Sequence, residues 1–176
     1  SAFDALRSGP GQTEADCGPL INAKQQQRVA EFVALAKRDG IRVAGQGSVL
    51  SEAHPSGFYQ PPTLLADVPR THRIAREEIF GPVLAAMPFD DEADAVALAN
   101  STPYGLVAGI WTRDGARQLR LARSIRAGQV FINNYGAGGG VELPFGGTGH
   151  SGFGREKGFE ALHGFTTLKT IAIRHG

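Results

Sequence analysis

Glu77-Glu78-Ile79-Phe80-Gly81-Pro82 is the local feature of this sequence most suggestive of chemistry. In an extended stretch, side chains alternate from face to face, so Glu78 and Phe80 would share one side. A carboxylate can accept hydrogen bonds from two sugar hydroxyls, and an aromatic face can stack on a flat heterocycle. The plainer reading is a solvated glutamate ahead of a buried phenylalanine, and the residues alone favour it.

Other candidates are weaker. Gly147-Thr148-Gly149-His150-Ser151-Gly152 has the form G-x-G-x-x-G. A dinucleotide fingerprint, however, needs a strand directly before it and a helix opening inside it. Here a long loop intervenes, Gly154 disfavours the helix, and no acidic strand end follows at the required distance. There is no G-x-x-x-x-G-K-[ST] phosphate loop. Cys17 lies in Asp16-Cys17-Gly18-Pro19, where Glu14 and Asp16 oppose thiolate formation, so it reads as a small apolar residue packed before a turn. His54, His72, His150, His163 and His175 show no metal-ligand spacing, and no metal site is expected. His150, among glycines, is the one that could approach a site. Arg113, Arg117, Arg120, Arg123 and Arg126 form a basic face opposite Leu119, Leu121, Ala122 and Ile125, read as solvated rather than as a nucleic-acid surface.

The elements that must carry these residues alternate. Asn22 is a plausible N-cap for a helix running to about Arg38, with Val29, Phe32, Val33 and Ala36 at helical spacing and Gly40 ending it. Ile41 to Ala44 reads as a short strand, and Thr63 to Leu65 and Val83 to Phe89 as extended pieces. Asp90 or Asp91 caps a helix through Ala99, stopped by Asn100 and Pro103. Leu106 to Thr112 is strand-like, Gly115 to Ala127 a helix ended by Gly128, and Val130 to Ile132 a strand. Strand–helix–strand alternation predicts an α/β fold with parallel strands. From Gly136 to Gly158 glycine is dense, which suits an ordered loop with unusual backbone angles. A short helix is expected around Glu156 to Leu162. Thr166 to Ile173 reads as a last strand whose open edge must be covered, by another part of the fold or by another subunit.

Composition sets outer bounds. The 176 residues are 41% hydrophobic and 20% charged, with net charge +1, which is ordinary for a globular protein and gives no global pull toward nucleic acid or anionic membrane. The single cysteine excludes an internal disulfide and a multi-cysteine zinc site. The start, Ser1 to Arg7, lacks the basic and apolar regions of a signal peptide. A soluble, cytoplasmic protein is expected.

In order, these blocks resemble the aldehyde dehydrogenase superfamily. The resemblance is carried by Cys17-Gly18-Pro19-Leu20-Ile21, Gly57-Phe58-Tyr59-Gln60-Pro61-Pro62-Thr63, Glu77-Glu78-Ile79-Phe80-Gly81-Pro82-Val83 and Asn100-Ser101-Thr102-Pro103-Tyr104-Gly105-Leu106. It continues through Gly128-Gln129-Val130-Phe131-Ile132-Asn133, Pro144-Phe145-Gly146-Gly147 and Ser151-Gly152-Phe153-Gly154-Arg155-Glu156. It spans essentially the whole chain. Cys17, where the family often has an apolar residue, and His150 are small departures.

The resemblance implies an oxidoreductase that converts an aldehyde to a carboxylic acid with NAD or NADP. A thiolate forms a thiohemiacetal, hydride passes to the nicotinamide, and water hydrolyses the thioester. It also implies that Glu78 binds the nicotinamide-ribose hydroxyls and that Phe80 packs against the nicotinamide. Phe145 lines the substrate pocket, Glu156 matches a buried glutamate of a proton relay, and Asn133 lies near the active-site wall. The implied fold is the C-terminal part of the catalytic domain over 1–150, a connecting helix and loop over 151–165, and an oligomerisation strand over 166–176. The family's nucleophilic cysteine in its Gly-Gln-x context and its general base in Glu-Leu-Gly-Gly do not occur in this sequence. The chain alone is therefore expected to be inactive. Expected partners are an aldehyde and further copies in a dimer or tetramer, with no nucleic acid and no membrane. The alternative is a naturally truncated, non-catalytic oligomerisation module acting through the last strand.

Overall fold

A computed structural model of the chain describes residues 1–136 and 140–176. Ala137 to Gly139, part of the stretch expected to form an ordered glycine-rich loop, lie outside the described residues. The described residues pack as two compact units, Ser1–Pro88 and Phe89–Gly176. The expected boundaries at 150 and 165 both fall inside the second.

The first unit opens with a short 3-10 turn (Ala2–Ala5) and β1 (Arg7–Ser8), followed by α1 (Ala23–Arg38). Asn22 caps α1 by accepting from the Gln25 backbone N–H at 2.9 Å. The spacing of Val29, Phe32, Val33 and Ala36 puts all four on one buried face, as expected. Asp39 and Gly40, the latter at φ +76°, end the helix. Then come β2 (Arg42–Gln46), β3 (Ser48–Val49), β4 (Thr63–Ala66), the single-turn α2 (Arg73–Arg76) and β5 (Val83–Ala85). β1 pairs with β3 in parallel, and β2, β4 and β5 form a sheet in that order. Within it β4 and β5 are parallel, while β2 and β4 are antiparallel. The expectation of parallel strands thus holds only where a helix supplies the crossover, as α2 does between β4 and β5. The core gathers Val29, Phe32, Ala36, Ile41, Leu65, Val68, Ile74 and Ile79.

The second unit contains α3 (Glu92–Ala99), β6 (Val107–Ile110), α4 (Gly115–Ser124), β7 (Gln129–Ile132), a 3-10 turn (Gly149–Ser151) and α5 (Glu160–Gly164). Asp91 caps α3 and Asp114 caps α4. With α4 as the crossover, β6 and β7 pair in parallel from Val107↔Gln129 to Ile110↔Ile132. Three expectations shift here. α4 stops at Ser124 because Ile125 turns extended and the Arg126 N–H is taken by Asn100 Oδ1 at 2.8 Å. α5 starts at Glu160 because Glu156 pairs with Phe145 and both Lys157 and Gly158 have positive φ. Residues 166–173, expected as a strand, pair with no described strand of this chain, and their side chains are exposed.

Candidate functional site

Glu78 and Phe80 lie in the first unit, between α2 and β5. Both are exposed, and Ile79 between them is buried in the core. Phe80 is 69% exposed, which corrects the plainer reading of a buried phenylalanine. Nor is the stretch a regular strand: Phe80 has φ +62°. A left-handed residue other than glycine costs about 1–2 kcal/mol, so the surrounding contacts must hold it.

Those contacts come from α1, some fifty residues earlier in the chain. The Arg28 guanidinium donates to the Glu78 carbonyl at 2.8 Å. Gln25 Nε2 donates to the Ile79 carbonyl at 2.9 Å and to the Phe80 carbonyl at 2.8 Å. Three such bonds at roughly 1 kcal/mol each exceed the cost of the left-handed residue. Gly81 completes the seat: a Cβ there would stand 2.5 Å from Val29 Cγ2, so only glycine lets the segment lie this close on α1.

Charge supports the same segment from beneath. Arg73 binds Glu77 with two hydrogen bonds of 2.6 and 3.0 Å, and Arg28 approaches the same carboxylate at 4.0 Å. The Arg73 hydrogen bond holds the Glu77 carboxyl below its ordinary range. The guanidinia of Arg28 and Arg73 both lie over the Phe32 ring, 4.9 and 4.8 Å from its centre. Glu78 is the carboxylate of the pair whose oxygens take part in no hydrogen bond or ion pair among the described residues. Residue order singles out Glu78 and Phe80 as candidates but not Gln25 and Arg28, because nothing local marks two polar residues in a helix's first turns as holding a segment so far along the chain.

The other predicted residues belong to the second unit. Phe145 and Glu156 form an antiparallel bridge, each N–H donating to the other's carbonyl at 2.7 Å. Phe145 is half-buried, with the Lys157 ammonium 5.5 Å from its ring centre. Glu156, matched above to a buried glutamate, is exposed in this chain, with its backbone engaged in the bridge to Phe145. Asn133 follows β7 at φ +51°, and its amide both accepts from Thr112 N–H and donates to Thr112 carbonyl at 2.9 Å. It therefore extends the β6–β7 ladder by one side-chain rung.

The remaining candidates resolve into structure. Cys17 is half-buried, its N–H donating to the Arg7 carbonyl at 3.0 Å and its carbonyl accepting from Gly9 at 2.9 Å. The His150 ring meets Tyr104 edge to face at 5.9 Å. The arginine face of α4 is not simply solvated. Arg120 and Arg117 clamp Glu92 of α3 at 2.7 to 3.1 Å, and the Arg120 hydrogen bond leads in pulling the Glu92 carboxyl down to about 2. Leu119, placed on the apolar face, is exposed. Among the described residues no group of three or more histidine, cysteine, aspartate or glutamate side chains could hold a metal ion. Among the described residues no helix is long and apolar enough to cross a membrane.

Residues 1–171 match the sequence profile of the aldehyde dehydrogenase family. The chain belongs to that family. It is 41% identical over 174 residues to the betaine aldehyde dehydrogenase of Sinorhizobium fredii, covering 98% of this chain and 36% of that protein. It is 43% identical over 162 residues to the 4-trimethylaminobutyraldehyde dehydrogenase of Mus musculus, covering 90% of this chain and 33% of that one. The chain thus spans about a third of the length of the relatives it matches. Among solved structures, a Burkholderia cenocepacia protein assigned as an aldehyde dehydrogenase superimposes with a TM-score of 0.94 at 74% identity, over 99% of this chain and 37% of that one. The Mycobacterium tuberculosis aldehyde dehydrogenase complexed with NAD+ gives 0.85 at 40% identity, over 98% and 35%.

Proposed function

We propose that this chain supplies the nicotinamide-ribose contact of an enzyme that oxidises an aldehyde to a carboxylic acid with NAD or NADP. The observation that carries the reading is the Glu78–Phe80 pair, an exposed carboxylate and an exposed ring either side of a buried isoleucine on a tied-down backbone. That arrangement fits a nucleotide: the Glu78 carboxylate accepts from the two ribose hydroxyls, and the Phe80 ring lies against the flat nicotinamide. When bound, the nicotinamide supplies the hydride acceptor. The solved relative complexed with NAD+ supports this cofactor class.

The remaining roles follow the family resemblance. Phe145 lines the aldehyde pocket, Asn133 braces the wall near it, and Glu156 passes protons once burial or a partner surrounds it. The chain holds neither a candidate nucleophile nor a general base, so by itself it forms no NADH from an aldehyde. Residues 166–173 add to a sheet of another subunit. Their exposure supports this, with Leu168 at 100% and no strand beside it among the described residues.

Glu78→Ala, in a full-length family protein carrying this sequence, tests the central claim. Expected is an NAD+ affinity lowered by about tenfold or more, as two charge-assisted hydrogen bonds are lost, with adenosine diphosphate affinity unchanged. Equal NAD+ affinity in the variant and the parent would sink the reading.

A further inference from the structure

We propose that Gln25 is a positioning residue for the nicotinamide-ribose contact, setting the direction in which Phe80 and Glu78 point by holding the backbone between them. The inference rests on the ribose reading above and goes beyond it, to a residue on another element.

Gln25 occupies the third position of α1, where a glutamine ordinarily reaches back to the N–H of the capping residue. Here its amide nitrogen instead spans 54 and 55 residues of sequence to the carbonyls of Ile79 and Phe80. A planar amide with two N–H groups meets two successive carbonyls only if the peptide between them is turned to present both oxygens the same way. That turn is where Phe80 takes φ +62°. Gln25 therefore selects the backbone conformation from which the Phe80 ring projects. Arg28, one helical turn later on the same face of α1, fixes the Glu78 carbonyl, and Val29 against Gly81 sets the depth of the segment. The ring stays largely exposed, so contacts of its own side chain do not fix its aim. The peptide conformation does, and the only side chain bonded to both of the carbonyls involved is that of Gln25 among the described residues.

The test compares Gln25→Met, which keeps reach but cannot donate, and Gln25→Glu, which keeps shape and faces both carbonyls with a carboxylate, against Glu78→Ala. All are made in the full-length family protein carrying this sequence. The readouts are NAD+ and adenosine diphosphate affinity by calorimetry, steady-state KM and kcat, and the melting temperature. Loss of two hydrogen bonds predicts roughly tenfold weaker NAD+ binding in both Gln25 variants. Adenosine diphosphate affinity should stay unchanged, and KM for NAD+ should rise by a larger factor than kcat falls. Unchanged NAD+ affinity in the Gln25 variants, with Glu78→Ala weakened, overturns the positioning role and leaves the ribose reading standing. Unchanged affinity in all three overturns both. Equal loss of NAD+ and adenosine diphosphate binding marks general damage and also counts against the proposal. Should Gln25→Met fail to fold, Gln25→Glu carries the test, since an acidic residue in a helix's first turn favours the helix.

Discussion

At the residue scale, the charges divide into those committed to the fold and those left open. Glu92 is committed: held at about 2 by its hydrogen bond to Arg120, opposed by partial desolvation and aided by Arg117. Its folded-state pKa lies below the ordinary carboxylate value of 4.5, so its stabilising contribution is present above that value and is lost as pH falls toward 2. We predict that Glu92→Gln makes urea-unfolding midpoints less dependent on pH between about 4.5 and 2, and that high salt narrows the difference, because the cluster is partly exposed. An unaltered acid profile in the variant would show that the two arginines do not hold it in solution. Glu78 is open by comparison, which is why its substitution should spare stability and alter cofactor affinity.

At the element scale, α1 acts as the platform for the segment after α2. Its cap, Asn22, should be worth about 1 kcal/mol, and Asn22→Ala should lower the unfolding free energy by that amount in chemical denaturation. Gly81→Ala is expected to cost more, about 1–3 kcal/mol, because a methyl cannot fit beside Val29 without lifting the segment off the helix. That lift would break the Gln25 bonds too, so the variant should lose NAD+ affinity along with stability. A Gly81→Ala protein that melts with the parent would show that the seat is looser than drawn. On the other unit, Asn133→Ala removes the amide pair to Thr112 and puts alanine at positive φ, a predicted loss of about 2 kcal/mol.

At the scale of the whole chain, large apolar side chains stand in the open. Phe153 is 99% exposed, and Phe159, Phe165, Leu168, Ile171 and Ile173 extend the exposed set through the last residues. Such surface normally meets another protein surface. The 176-residue chain alone should therefore associate with rising concentration, and deletion of 166–176 should reduce that association in sedimentation. A monodisperse full chain across a wide concentration range would contradict the terminal segment's role as an added strand.

Much of this was readable from residue order. The α1 cap and its four buried residues, an aspartate cap on α3 at one of two adjacent positions, and the crossover that makes β6 and β7 parallel all follow from periodicity, capping chemistry and motif, which act within a few residues. Three-dimensional packing decided the rest. It turned β2 antiparallel to β4, kept Phe80 at the surface in a left-handed conformation, shortened α4 through Asn100, and delayed α5 through the Phe145–Glu156 bridge. It also recruited Gln25 and Arg28 to carbonyls some fifty residues away. Each of these depends on partners distant in sequence, whose energies no local pattern encodes.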